Sequence, residues 1–342
     1  MRERVHWIDV LRGMAILAVV LSHQSATELW KTYFFSFHVP LWFFVSGYLF
    51  PTDARVDYAA LRRKRWRTIV APYFWFSVLT YPFWLVVGRR YGIDAVPDVH
   101  WWQPLVGILY GSGQGHWMLH NVPLWFLPCL YMTDLLFAAI HRRGWSANGI
   151  VAALVAFSLL GRLDAHFVPF PLPWGLDVAF TAVVFYGAGY LTRRRFAADF
   201  ALAKQRGLLL LVLAFALQAI FMTRNGPVNM NSQHTGDYFT FFFAAFAGIG
   251  FIFVLARLVG ANRFFEYCGR NSLVILAAHT IGSSLTKGVT QFIFRVPVDS
   301  TAHSVAWSLF YAAGSLLFCV PVVWLVNVRF PFLLGKGTPA VR

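Results

Sequence analysis

Apolar runs of near-spanning length recur from one end of this sequence to the other. They lie near 8–28, 34–51, 68–88, 122–141, 148–168, 174–192, 207–223, 237–259, 271–293 and 303–327. A helix of about 20 residues crosses about 30 Å of hydrocarbon, and the runs leave no stretch for a water-soluble domain. Of the 342 residues, 58% are hydrophobic and only 13% charged, which excludes an ordinary soluble globular protein. The expected fold is an all-α integral membrane protein, a bundle of about ten transmembrane helices with both termini cytoplasmic. It is read as a single domain over residues 1–342 with no appended soluble domain.

The net charge of +15 would suggest nucleic acid in a soluble protein, so the placement of the cations decides its meaning. With the start assigned to the cytoplasm, roughly 21 of the 29 Lys and Arg fall on that side, as the positive-inside rule expects. They include Arg62, Arg63, Lys64, Arg65 and Arg67, then Arg142 and Arg143, then Arg193, Arg194, Arg195, Lys204 and Arg206. The surplus charge therefore reports topology, and no nucleic-acid partner is expected. Arg2 and Arg4 precede an apolar run too long for a secretion signal, which reads as an uncleaved first helix. Cys129, Cys268 and Cys319 sit in apolar runs without metal-ligand spacing, so neither disulfide nor metal is expected.

The longest connection runs from about Arg89 to Asn121 on the expected outer side, and is rich in Gly, His and Trp. Its Gly-Ser-Gly-Gln-Gly-His run at 111–116 shares only glycines with a phosphate loop. A second outer loop holds Asn225, Asn229, Asn231, Gln233, His234 and Asp237, suited either to sugar hydroxyls or to solvent. Val-Pro-Leu-Trp-Phe occurs at 39–43 and again at 122–126, each where a helix enters from the outer side. Proline fits a first helical turn, so shared entry chemistry accounts for the echo without duplication. Trp30, Trp42, Trp101, Trp102, Trp117, Trp125 and Trp174 suit an interfacial belt.

Ionisable residues inside spans are costly and are by default functional candidates. Arg12 and His23 are eleven residues apart, about 20° from alignment and roughly 16 Å along the axis, so one helix face carries both. Asp9 can pair with Arg12 on that surface. The plainer alternative is that Asp9 and Arg12 anchor the helix end while His23 bonds a neighbouring helix. Ser46 and Gly47 offer close helix packing as well as a polar contact. Arg162, Asp164 and His166 either face an acceptor or form an interfacial group.

Several motifs then fall in a known order: Arg-Val-His-Trp-Ile-Asp-Val-Leu-Arg-Gly at 4–13, Leu-Ser-His at 21–23, and Phe-Phe-Val-Ser-Gly-Tyr-Leu at 43–49. The basic run at 62–67, Leu-Trp-Phe-Leu at 124–127 and Gly-Arg-Asn-Ser-Leu-Val-Ile-Leu-Ala-Ala-His at 269–279 follow. Together they resemble the acyltransferase-3 family of multi-pass membrane enzymes over nearly the whole chain. The resemblance implies an O-acyltransferase of a bacterial cytoplasmic (inner) membrane, using acetyl-coenzyme A as co-substrate. It would acylate a hydroxyl of an extracytoplasmic glycan or lipid-linked sugar such as a surface polysaccharide, with glycan-assembly proteins as further partners. His23 then takes the place of the family's first-helix histidine and Arg12 that of its arginine, with Asp9 beside them. An imidazole suits a base near neutral pH, and an acyl-imidazole intermediate is the alternative.

For the coenzyme A phosphates the candidates are Arg62, Arg63, Arg65, Arg67 and Arg270, since guanidinium binds phosphate in a bidentate manner. Glu266 and Asn271 accompany Arg270, completing a donor site or capping the helix. For the acceptor the candidates are Trp125, His279, His116 and Ser46. A transporter or flippase for a lipid-linked glycan is the rival reading, although no internal repeat supports it. A structural or signalling membrane protein is a third.

Overall fold

A computed structural model describes residues 5–24, 26–52, 56–91, 96, 98–196 and 202–336; Arg2 and Arg4 lie outside them. Among the described residues there is no strand, only one bridge between Asn229 and His234. The helices are α1 (His6–Ser22), α2 (Glu28–Phe35), α3 (His38–Tyr48), α4 (Tyr58–Arg65), α5 (Ala71–Phe83), α6 (Arg89–Tyr91), α7 (Gln103–Tyr110) and α8 (Phe126–His141). They continue as α9 (Ala147–Phe167), α10 (Leu176–Arg195), α11 (Lys204–Asn225), α12 (Tyr238–Val259), α13 (Arg263–Arg270), α14 (Ser272–Phe292), α15 (Val298–Thr301) and α16 (Val305–Arg329). Helices α4 to α6 form one continuous rod, Tyr58–Tyr91, joined by π-turns at Trp66–Val70 and Trp84–Gly88. The second turn directly follows Pro82, which removes a backbone donor inside the helix.

Among the described residues, seven helices are long and apolar enough to cross a membrane: Tyr58–Tyr91, Val122–His141, Ala147–Phe167, Pro173–Arg195, Lys204–Asn225, Tyr238–Val259 and Val305–Arg329. The other three expected runs differ for visible reasons. Helix α1 has 17 residues because the polar Ser22, His23 and Gln24 end it. The run at 34–51 breaks at Ser36 and Phe37, leaving α3 with 11 residues. Helix α14 has 21 residues but carries His279, Thr280, Ser283, Ser284, Thr286, Lys287 and Thr290. The Arg89–Asn121 connection, read as a loop, contains the eight-residue helix α7.

Burial sorts the helices into layers. The apolar stretches of Val122–His141 and Pro173–Arg195 are 72% and 67% buried, whereas those of Ala147–Phe167 and Lys204–Asn225 are 22% and 17%. Helix α11 therefore presents Leu209, Val212 and Leu213 outward, the pattern of a lipid-facing surface. Glycines bring the inner helices together. A Cβ on Gly13 would lie 2.0 Å from the Phe265 carbonyl oxygen, and one on Gly269 would lie 2.0 Å from that of Asp9, so α1 and α13 pack backbone to backbone. Gly47 against Tyr186 and Gly189 against Phe44 do the same for α3 and α10, at 1.8 and 2.0 Å. These contacts fix α1 and α3, which carry the candidate site.

Candidate functional site

Helix α1 ends at His23, and its end is built around one carbonyl. Val19 O accepts from the His23 backbone N–H at 3.3 Å, the Ser22 hydroxyl at 2.8 Å and His23 Nδ1 at 2.8 Å. A carbonyl only accepts, so Nδ1 carries the proton and Nε2 presents a lone pair. Two more imidazoles flank this ring. The His279 ring centroid is 5.2 Å away and that of His38 is 6.4 Å away. Each repeats the arrangement, His38 Nδ1 donating to Phe34 O at 2.8 Å and His279 Nδ1 to Leu276 O at 2.9 Å. His38 was missed by the sequence reading. Its signal was present, since it is an ionisable residue inside the second apolar run.

Two cavities meet at His23. The first, of about 360 Å³, runs past Arg12, Ser46, Arg65, Ser272 and His38 to His23 and Trp125. The second, of about 410 Å³, is lined by Lys31, Trp84, His120, Asn121, Ser283 and His279, again with His23 and Trp125. Asn229 and Asn231 line both. Their loop is tethered by Gln233, whose amide donates to Asp164 Oδ2 and Asp177 Oδ2 at 3.1 Å each. Asn121 is held in place as its amide donates to Ala277 O of α14 at 2.7 Å.

The first cavity is the cationic one. Arg12 donates to Ser272 Oγ at 3.2 Å and lies 3.9 Å from Asp9. Arg65 pairs through Nε with the buried Asp134 at 3.1 Å and donates to Tyr186 Oη at 3.4 Å, while Tyr186 donates to Asp134. Arg62, Arg63 and Arg67 are exposed and do not line the cavity, so Arg65 is the one member of that run that does. Asp9 sits between Arg12 and Arg270, the latter at 3.7 Å, and Arg270 also pairs with Glu266. Arg270 and Asp9 thus brace the end of α1 outside the cavity lining. His6 Nδ1 hydrogen-bonds Glu266 at 3.0 Å; that bond, then Arg270, holds the Glu266 carboxyl below its ordinary range.

The acceptor candidates separate. Trp125 sits in a 3-10 turn, Val122–Trp125, at the junction of the two cavities, and Ser46 and His279 line one cavity each. His116 lies at a positive φ of 65° on an exposed turn and lines neither. Trp42 and Trp125 line the first cavity, and the two Val-Pro-Leu-Trp-Phe segments pack together, Phe43 against Phe126 at 5.1 Å. Arg162 lies over the Tyr238 ring, and Asp237 caps α12 through Thr240.

The described helices thus surround a histidine reached by two cavities, one of them lined by arginines. Comparison with known families makes that specific. The family model for acyltransferase family 3, described as an acyltransferase domain, matches residues 5–324, and the chain belongs to that family. No curated protein and no solved structure matches it significantly.

Proposed function

We propose that this chain is a membrane O-acetyltransferase that takes an acetyl group from acetyl-coenzyme A in the cytoplasm and places it on a hydroxyl of an extracytoplasmic or lipid-linked glycan. The observation that carries the reading is the meeting of two cavities at one imidazole whose Nδ1 is committed to Val19 O. Coenzyme A phosphates are anionic, and Arg12 and Arg65 line the first cavity with guanidinium groups suited to them. The pantetheine arm, comparable in length to the roughly 16 Å between Arg12 and His23, brings the thioester to Nε2.

The acceptor hydroxyl enters from the second cavity. Nε2 takes its proton as the oxygen attacks the acyl carbon; the C–O bond forms, the C–S bond breaks, and the proton passes to the leaving thiolate. In the covalent variant Nε2 attacks the thioester and the C–S bond breaks to release the thiolate; the acceptor hydroxyl then attacks the acyl carbon, the C–N bond breaks, and the hydroxyl proton passes to the departing imidazole nitrogen. Trp125 and His279 stand beside the transferring group in both. Residence in a bacterial inner membrane and contact with glycan-assembly proteins belong to the same proposal.

Release of free thiol from acetyl-coenzyme A by the full chain in lipid tests the reading. Wild type should release it, and His23→Ala should lose it by about 100-fold or more, the scale of general-base catalysis. No release with any acceptor, together with no binding of coenzyme A, would overturn the proposal in favour of a transporter.

A further inference from the structure

Of the three imidazoles at the junction, His38 is the one to which the transfer step gives no part. It opens helix α3, which turns His38, Trp42, Val45 and Ser46 toward the first cavity. Their three- and four-residue spacings make one face of the helix. Helix α1 offers Arg12, Ile16, Val19 and His23 in the same way. The cavity thus runs between two helix faces, with His38 beside His23 at one end and Ser46 roughly 12 Å from His38 along the axis of α3.

The open atom of His38 is Nε2. The residue is 3% exposed and lines the first cavity but not the second, and Nδ1 donates to Phe34 O at 2.8 Å. In the neutral ring Nε2 therefore holds a lone pair and accepts. It makes no hydrogen bond among the described residues. Both ring nitrogens of His120 and Nε2 of His279 are sealed inside the protein, but His38 Nε2 is not sealed in that way. The little accessible surface that His38 keeps therefore includes Nε2, and it lies on the cavity that the residue lines.

What this atom takes follows from the chemistry of the donor. Arg12 and Arg65 line the cavity for the phosphates, while His38 stands by His23, where the thioester lies under the function proposed above. An acceptor needs an N–H or an O–H. The thioester sulfur, its carbonyl and the phosphates only accept. The first N–H along the pantetheine arm belongs to the amide two methylene groups from the sulfur. A neutral Nε2 beside His23 fits that N–H and no other group so close to the thioester.

We propose that His38 reads the donor: its Nε2 accepts from the amide N–H next to the thioester and so fixes where the acyl carbon stands at His23. Trp42 and Val45, next along the same face, give the arm an apolar wall. The assignment deepens the donor half of the function proposed above and rests on it for the identity of the ligand. Titration calorimetry of the full chain in lipid nanodiscs tests it, with coenzyme A and with an analogue whose amide next to the thiol is an ester, oxygen replacing N–H. Wild type should bind coenzyme A about five- to tenfold more tightly than the analogue, the scale of one hydrogen bond. His38→Leu should weaken coenzyme A by that factor and leave the analogue nearly unchanged, whereas a merely structural role would weaken both alike. If His38→Leu fails to fold, His38→Met takes its place with the same expectation.

Equal binding of the two ligands by wild type, or a preference that survives in the variant, overturns the role of His38. Absence of coenzyme A binding overturns it together with the donor reading. Thiol release from acetyl-coenzyme A is read separately. Its absence removes the acyltransferase reading even where the binding preference holds, and its presence without that preference removes only the role of His38.

Discussion

The two cavities share His23, Phe35, Pro123, Trp125, Asn229 and Asn231 but differ in the polar groups that line the rest of each. The first presents two guanidinium groups, each already held by a protein partner: Arg12 by Ser272 and Asp9, Arg65 by Asp134 and Tyr186. The second is lined mainly by neutral groups, among them Trp84, His120, Asn121, Ser283 and His279, with Lys31 paired to Glu28. The difference has a physical basis. A charge in a low-dielectric interior must be stabilised in the resting protein, so each of these guanidinium groups is held by a carboxylate. Neutral polar groups cost less to bury than charges, so the second cavity needs fewer such pairs.

The comparison can be broken at its shared point or sharpened on either side. The largest effect belongs to the junction: His23→Gln should abolish thiol release, by about 100-fold or more, while leaving the chain folded, as release kinetics and an unfolding curve would report. Retained release would detach both cavities from the proposed chemistry. Next is Asp134→Ala, which leaves Arg65 buried without its carboxylate and should destabilise the bundle by about 3–5 kcal/mol in reversible unfolding. A neutral outcome would mean that Arg65 is solvated and not held for a ligand.

Arg12→Lys keeps the charge and loses the planar fork, so the KM for acetyl-coenzyme A in the thiol-release assay should rise about tenfold. An unchanged KM would take Arg12 out of the donor side. Acid sensitivity comes next. Glu266 has a folded pKa below its ordinary 4.5, so its contribution is present above that value and lost as pH falls through the lowered one. His6→Ala removes its first cause, so stability above pH 4.5 should fall and the share of the acid-induced loss that belongs to Glu266 should be smaller than in wild type, as unfolding curves across pH would report. The smallest effect is Lys31→Met at the mouth of the second cavity. Its pair with Glu28 is exposed, so stability should change by less than about 0.5 kcal/mol and the KM for acetyl-coenzyme A not at all.

How much of this was legible along the chain can be judged residue by residue. Arg12 and His23 share one helix, so the 100° step between residues was enough to place them on one face, and both line the first cavity. The basic run 62–67 was legible as a run, but not which member turns inward. That choice belongs to the packing of α4 on α8 and α10, where Asp134 and Tyr186 wait for Arg65. The difference between about ten expected runs and seven helices apolar and long enough to span follows from the site itself. The three that fall short, α1, α3 and α14, carry His23, His38 and His279. Polar residues that build a cavity shorten or dilute the apolar pattern by which spans are recognised.

The sequence by itself determined an all-helical membrane protein, the motif order of its family and a cation and an imidazole on one face of the first helix. Those depend on composition and on contacts within one helix, which local periodicity reports. Only the tertiary structure decided that His23 stands between His38 and His279, that Trp42 and Trp125 turn inward, and that Trp84, His120, Asn121 and His279 surround one cavity. Those residues are far apart in sequence and meet because Gly13, Gly47, Gly189 and Gly269 let backbones approach and Asn121 bonds across to Ala277. Such contacts join separate helices, and no periodicity within any one of them carries that information.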